Sequence, residues 1–178
     1  MLNLKSIFVL PCFTSLTYAL WPLPQDIHTG NSPLRLDSTF SISVTSIPNA
    51  PKDILDATQR TQHHVQADKL AALVPDRGAS SKSAVAHAKA LQSLSLRYTG
   101  GAPLKSISQE AVADIDRRVE AYTLIIPADG SEATLSANSS LGLLRGLTTF
   151  EQLWYELDGK TYTLQAPIKI HDYPAYVC

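Results

Sequence analysis

The segment Leu135–Leu153, LSANSSLGLLRGLTTFEQL, limits what this chain can fold into more than any other part of it. Leu143, Leu147, Phe150 and Trp154 recur at helical spacing and predict a helix from about Ser139 to Glu156 with one buried face. Asn138 or Ser139 supplies its cap. Gly142 and Gly146 fall one turn apart on this helix, where each glycine costs about 1 kcal/mol relative to alanine. Close approach to a sheet offsets that cost, because any Cβ would hold the two backbones apart. A membrane-dimer reading of the glycine pair needs roughly 20 apolar residues, and Arg145, Glu151 and Gln152 interrupt this segment. Gly142, Gly146 and Trp154 are therefore expected to be structural.

The sheet is expected from the flanking alternations. Glu120–Ile126, stopped by Pro127, and Glu132–Ser136, reached through Asp129-Gly130, predict a hairpin. Leu34, Leu36, Phe40, Ile42 and Val44 predict two short strands around a turn at Asp37-Ser38, and Leu94–Tyr98 another strand before the turn at Gly100-Gly101. Tyr162–Leu164 is half of a hairpin after Asp158-Gly159, and Pro167 leads into Ile168–Ile170. Between Lys52 and Gln92 the composition favours helix, with Ile54, Val65, Leu70, Leu73 and Val74 as a weak stripe and Pro75, Asp76 and Gly78 dividing it into two helices. These elements predict an α+β two-layer sandwich: a mostly antiparallel sheet with helices on one face.

At the N-terminus, Lys5, the apolar run Ile7–Leu16 and Thr17-Tyr18-Ala19 predict a secretory signal peptide over residues 1–19. The prolines and glycine of residues 20–33 suit an extended lead-in segment, and residues 34–174 form the domain. The chain is expected to be secreted, or held in the lumen of the secretory or vacuolar pathway, with no membrane association once the signal is removed. The 15 basic and 16 acidic residues nearly cancel, so no strong field draws nucleic acid or anionic lipid. Removal of the signal takes Cys12 with it and leaves Cys178 alone, so stability must come from packing rather than a disulfide.

No constellation of catalytic residues emerges. His28, His63, His64, His87 and His171 share no i,i+3 or i,i+4 relation, and the adjacent His63-His64 point to different helix faces, so surface histidines rather than a metal pair are expected. HExxH, CxxC, GxSxG and phosphate-cradling loops do not occur. Asp114, Asp116 and Glu120 form the densest acidic cluster, but Asp116 precedes Arg117-Arg118, which would pair with it or keep it solvated in a charged turn. No catalytic residue, cofactor or metal is expected on this chain. Asn138-Ser139-Ser140 is an N-x-S acceptor, making Asn138 a candidate glycosylation site in an exported chain.

Three runs, Glu120–Leu124, Ala133–Ala137 and Gly142–Leu153, resemble the N-terminal domain of eukaryotic, especially fungal, β-N-acetylhexosaminidases of glycoside hydrolase family 20. The opening Ala19–Gln25 and the closing Pro167–Pro174 are similar as well, so the landmarks span nearly the whole of residues 20–178 in family order, with Lys52–Gln92 the exception. The resemblance implies a non-catalytic domain packed against a (β/α)8 barrel that supplies every catalytic residue. In that barrel the substrate's acetamido group attacks with retention while an Asp-Glu pair orients it and donates the proton. Where the family continues with an aromatic and Arg-Gly into the barrel, this chain reads Pro174-Ala175-Tyr176-Val177-Cys178. Residues 175–178 are thus expected to be a truncated junction, with Val177 and Cys178 read from unspliced intron sequence.

Two readings follow. In the first, the chain is the N-terminal domain of a secreted hexosaminidase, inactive without its barrel and prone to associate through the apolar face the barrel would cover. In the second, it is a stand-alone secreted module that binds carbohydrate or regulates a hexosaminidase; no regular row of exposed aromatics supports sugar binding, since Trp21 lies in the lead-in segment and Trp154 on the helix stripe.

Overall fold

The computed structural model of the chain describes residues 20–68 and 79–173. The expected signal peptide, the junction 175–178, and Leu70, Leu73, Val74, Pro75, Asp76 and Gly78 lie outside the described residues. The strands are β1 (Asp26–Ser43), β2 (Lys89–Tyr98), β3 (Tyr122–Ile126), β4 (Ala133–Ala137), β5 (Tyr155–Leu157) and β6 (Lys160–Asp172). The helices are α1 (Lys52–Ala67), α2 (Lys82–Ala86), α3 (Ile107–Ala111) and α4 (Ser140–Gln152).

The strand order is β1-β2-β4-β3-β6-β5, and β1 pairs with β6 as well as β2. β1–β2 and β2–β4 are parallel; β3–β4, β3–β6, β1–β6 and β5–β6 are antiparallel. The mostly antiparallel α+β sheet read from the sequence is therefore present. Its parallel pair β1–β2 follows from chain length: parallel neighbours need a crossover of a dozen or more residues, and the segment between Ser43 and Lys89, which carries α1 and α2, is long enough for one.

Period-two alternation sorts β3, β4 and β6 into two faces. Leu124, Ile126, Leu135, Ile168 and Ile170 are fully buried beneath the helices. Thr123, Ile125, Thr134, Ser136, Lys169 and His171 occupy the opposite, partly or fully exposed face. α4 lays Leu143, Leu147 and Phe150 on the apolar side, all fully buried; each such side chain contributes roughly 1.5–3 kcal/mol relative to exposure. α1 adds Ile54, Ala57 and Val65 to the same core.

Several boundaries differ from the sequence reading, each for a local reason. The turn at Asp37-Ser38 is a break in register inside one long strand: between Leu36 and Ser41 the β1–β2 pairing shifts, and Asp37 Oδ1 accepts hydrogen bonds from Thr39 N and Oγ1 at 3.0 and 2.8 Å. β1 also begins at Asp26, inside the expected lead-in segment, because its first residues find partners on β6, with Asp26 opposite His171. Pro167 does not separate two strands. It sits within β6 where the β1 register slips between Thr29 and Ser32, and a Cβ on the facing Gly30 would lie 2.5 Å from Ala166 O and 2.6 Å from Pro167 Cδ; a proline is tolerated in a strand at such a bulge. β2 starts at Lys89 rather than Leu94, and α2 is a five-residue helix. α4 stops at Gln152 instead of Glu156, since Tyr155–Leu157 pair with Lys160–Tyr162. The hairpin turns on Asp158 and Gly159, at φ 50° and 74°, the left-handed pair of a type I′ turn.

Candidate functional site

Ser139, Ser140 and Glu110 meet at the N-terminal end of α4. Ser139, not Asn138, caps the helix: its Oγ accepts from Gly142 N at 2.8 Å and donates to Val119 O. A second cap comes from Glu110 at the end of the short α3, whose Oε2 accepts from Ser140 Oγ at 2.6 Å and from Leu141 N at 3.0 Å. A carboxylate is favoured there because it meets unpaired N–H groups at the positive end of the helix. α3 is itself set by a capping box, Ser106 with Gln109. The S-x-x-Q signal was present in the sequence, but nothing local indicates that Glu110 reaches a helix 30 residues further on.

Both glycines of α4 sit against the sheet. A Cβ on Gly142 would lie 2.4 Å from Ala121 O and 2.9 Å from Ala137 Cβ; one on Gly146 would lie 2.2 Å from Leu135 Cδ1. Trp154 falls two residues beyond the last residue of α4 rather than on its stripe, yet is 1% exposed. Its ring meets Phe150 edge-on at 5.4 Å.

The acidic cluster is dispersed by the fold. Glu120 pairs with Arg145 of α4 at 2.7 Å, and Asp114 approaches Arg117 at 3.8 Å. Arg118 Nε donates to Ala113 O, so the arginines do not pair with Asp116, which is exposed as the solvated alternative has it. The histidines are likewise scattered: His28 lies 3.1 Å from Asp26, His64 3.5 Å from Glu151, His87 Nδ1 2.8 Å from Ser83 O, and His171 Nδ1 3.0 Å from Thr123 Oγ1. Among the described residues no three His, Cys, Asp or Glu side chains gather as a metal site would require, and no helix is long and apolar enough to cross a membrane.

Two open depressions flank the α4 cap, and exposed Asn138 borders both. One, of about 340 Å³, is lined by Tyr98, Lys105, Glu110, Arg117 and Arg118; the other, of about 190 Å³, by Thr99, Thr123, Ser136 and His171. A third, of about 390 Å³, lies between Asp37 of β1 and Gln66 and Lys160.

Beneath this corner Tyr122 is 2% exposed and its hydroxyl shares a 2.6 Å hydrogen bond with Thr149 Oγ1. Burial pushes the phenol up to about 12, and the nearby carboxylate of Asp172 acts in the same direction. The unfolded chain releases this proton near pH 10, so between about pH 10 and 12 the unfolded state alone loses it and stability falls as pH rises. Urea midpoints at pH 9 and pH 11 should drop less in Tyr122→Phe than in the natural chain; an equal drop would remove Tyr122 from the alkaline transition.

Residues 20–153 match the family described as beta-acetyl hexosaminidase like. A beta-hexosaminidase of Arthroderma benhamiae is 43% identical over 58 residues, which is 32% of this chain and 9% of that protein. Among solved structures, the chitobiase of Flavobacterium johnsoniae matches with a TM-score of 0.54 and 19% identity over 88% of this chain and 21% of its own. CpGH84B matches with 0.53 and 13% over 90% and 23%. The two structures share the fold. The chain thus spans about a tenth of the beta-hexosaminidase and under a quarter of either solved protein.

Proposed function

Since the chain belongs to the beta-acetyl hexosaminidase-like family, we propose that it is the non-catalytic N-terminal domain of a secreted β-N-acetylhexosaminidase. The whole enzyme would remove terminal N-acetylhexosamine from glycoconjugates and chitooligosaccharides, with the chemistry on a (β/α)8 barrel and the present domain inactive by itself. The match over residues 20–153 carries this reading, because it runs from the lead-in segment through strands β1 to β4 to the end of α4.

The placement of carboxylates and apolar side chains supports it. Glu110 and Asp37, which border two of the depressions, are committed to holding α4 and the β1 irregularity rather than facing a substrate. Trp21 is pinned by its backbone, N to Gln152 Oε1 at 2.7 Å and O to Gln152 Nε2 at 3.0 Å, yet the residue is 85% exposed. Leu23, Tyr173, Val112 and Ile115 are also exposed, apolar surface of the kind a partner domain covers.

Purified residues 20–178, incubated with an aryl N-acetylglucosaminide and separately with chitin, should neither release the aryl group nor be retained. Turnover would overturn the non-catalytic reading. Retention on chitin without turnover would favour a carbohydrate-binding module instead.

A further inference from the structure

We propose that Asn138 carries an N-linked glycan and that it is attached before α4 closes onto α3. The proposal rests on the reading of the chain as exported. In the transfer, the side-chain amide nitrogen of Asn138 forms a bond to the anomeric carbon of an oligosaccharide. That carbon breaks its bond to a lipid pyrophosphate, which departs with the bonding pair, and the amide gives up one proton.

The acceptor is well placed. Asn138 is exposed in the junction between β4 and α4, and no other group among the described residues holds its side chain. The two depressions beside it are open, leaving room for the first sugars. Because Ser139 makes the cap, a sugar on Asn138 leaves the helix start intact.

The third residue of the triplet sets the order of events. The hydroxyl at this position is part of what defines the acceptor. In the folded domain Ser140 is fully buried, with its Oγ donating to Glu110 Oε2 at 2.6 Å. A transferase therefore meets the complete triplet only while Ser140 is still free of Glu110. Once folded, the glycan stands beside the α4 cap, next to the two depressions that Asn138 borders.

The test is expression of the full chain in a eukaryotic secretory host, once with its own N-terminus and once behind a heterologous secretory leader. Peptide N-glycosidase should shift the mass by one glycan, and Asn138→Gln, an exposed change, should abolish the shift completely. A shift only behind the heterologous leader keeps the glycosylation site and removes the export reading. Export with either leader and no shift overturns the proposal. For the order of events, the full chain made in bacteria is offered to detergent-solubilised transferase, folded or held in mild urea. Modification should occur in the unfolded sample and be absent from the folded one; equal modification of both overturns the requirement that transfer precede closure.

Discussion

Trp154→Ala should lower the unfolding free energy by about 3–5 kcal/mol, the range for emptying a buried aromatic site. Trp154 is 1% exposed and joins α4 to β1 through an aromatic chain: its ring meets Phe150 edge-on, and Phe150 stacks on Phe40 of β1 at 5.8 Å. A small domain has only about 5–15 kcal/mol in total, so this one change removes a large part of it. Trp154→Phe sharpens the expectation. The indole Nε1 is buried without a hydrogen-bond partner among the described residues, and an unsatisfied buried donor costs about 1–3 kcal/mol. Phenylalanine loses packing but relieves that donor, so its net cost should fall well below that of alanine. Urea titration followed by far-UV circular dichroism reads both variants without relying on tryptophan emission. An alanine variant within 1 kcal/mol of the natural chain would show that the aromatic cluster does not hold α4.

Gly142→Ala is expected to cost about 1–3 kcal/mol, the usual range for overpacking, although the same change in an unobstructed helix would gain about 1 kcal/mol. The sign is decided by what the new methyl meets. At Gly142 it meets a backbone carbonyl, Ala121 O at 2.4 Å, and a Cβ, Ala137 at 2.9 Å; neither moves without displacing β3 or β4. At Gly146 the nearest atoms belong to the Leu135 side chain, which has rotamers to change, so Gly146→Ala should cost less. Gly101, where a Cβ would meet nothing within 4 Å, is the control, and Gly101→Ala should stay within about 0.5 kcal/mol. If all three alanines have equal effects, close approach is not why α4 carries glycines.

The same contrast explains how much of the molecule could be read from its residues. The β3–β4 hairpin and α4 were legible because their signals are local: alternation on each side of Asp129-Gly130, then a helical stripe that begins at a serine cap. β1 was read as shorter and broken, since nothing near Asp26 announces a partner on β6. β5 was hidden in the apparent continuation of a helix, because Trp154 keeps the helical spacing after the helix has ended. Around the α4 cap, Asn138 was visible as part of a triplet. The role of Glu110 was not, because a carboxylate that caps a distant helix looks like any other surface acid until the fold brings the two together.

The pairing of Asp26 with His171 sets a timetable for biosynthesis. A ribosome adding about 5–20 residues per second needs on the order of ten seconds to pass from one to the other. For that interval the first half of β1 has exposed backbone donors and acceptors and no β6 to receive them, a state open to strand exchange with neighbouring nascent chains. Completion of the sheet therefore waits until β6 has emerged, and chaperone occupancy on the emerging polypeptide should be concentrated on its first strand.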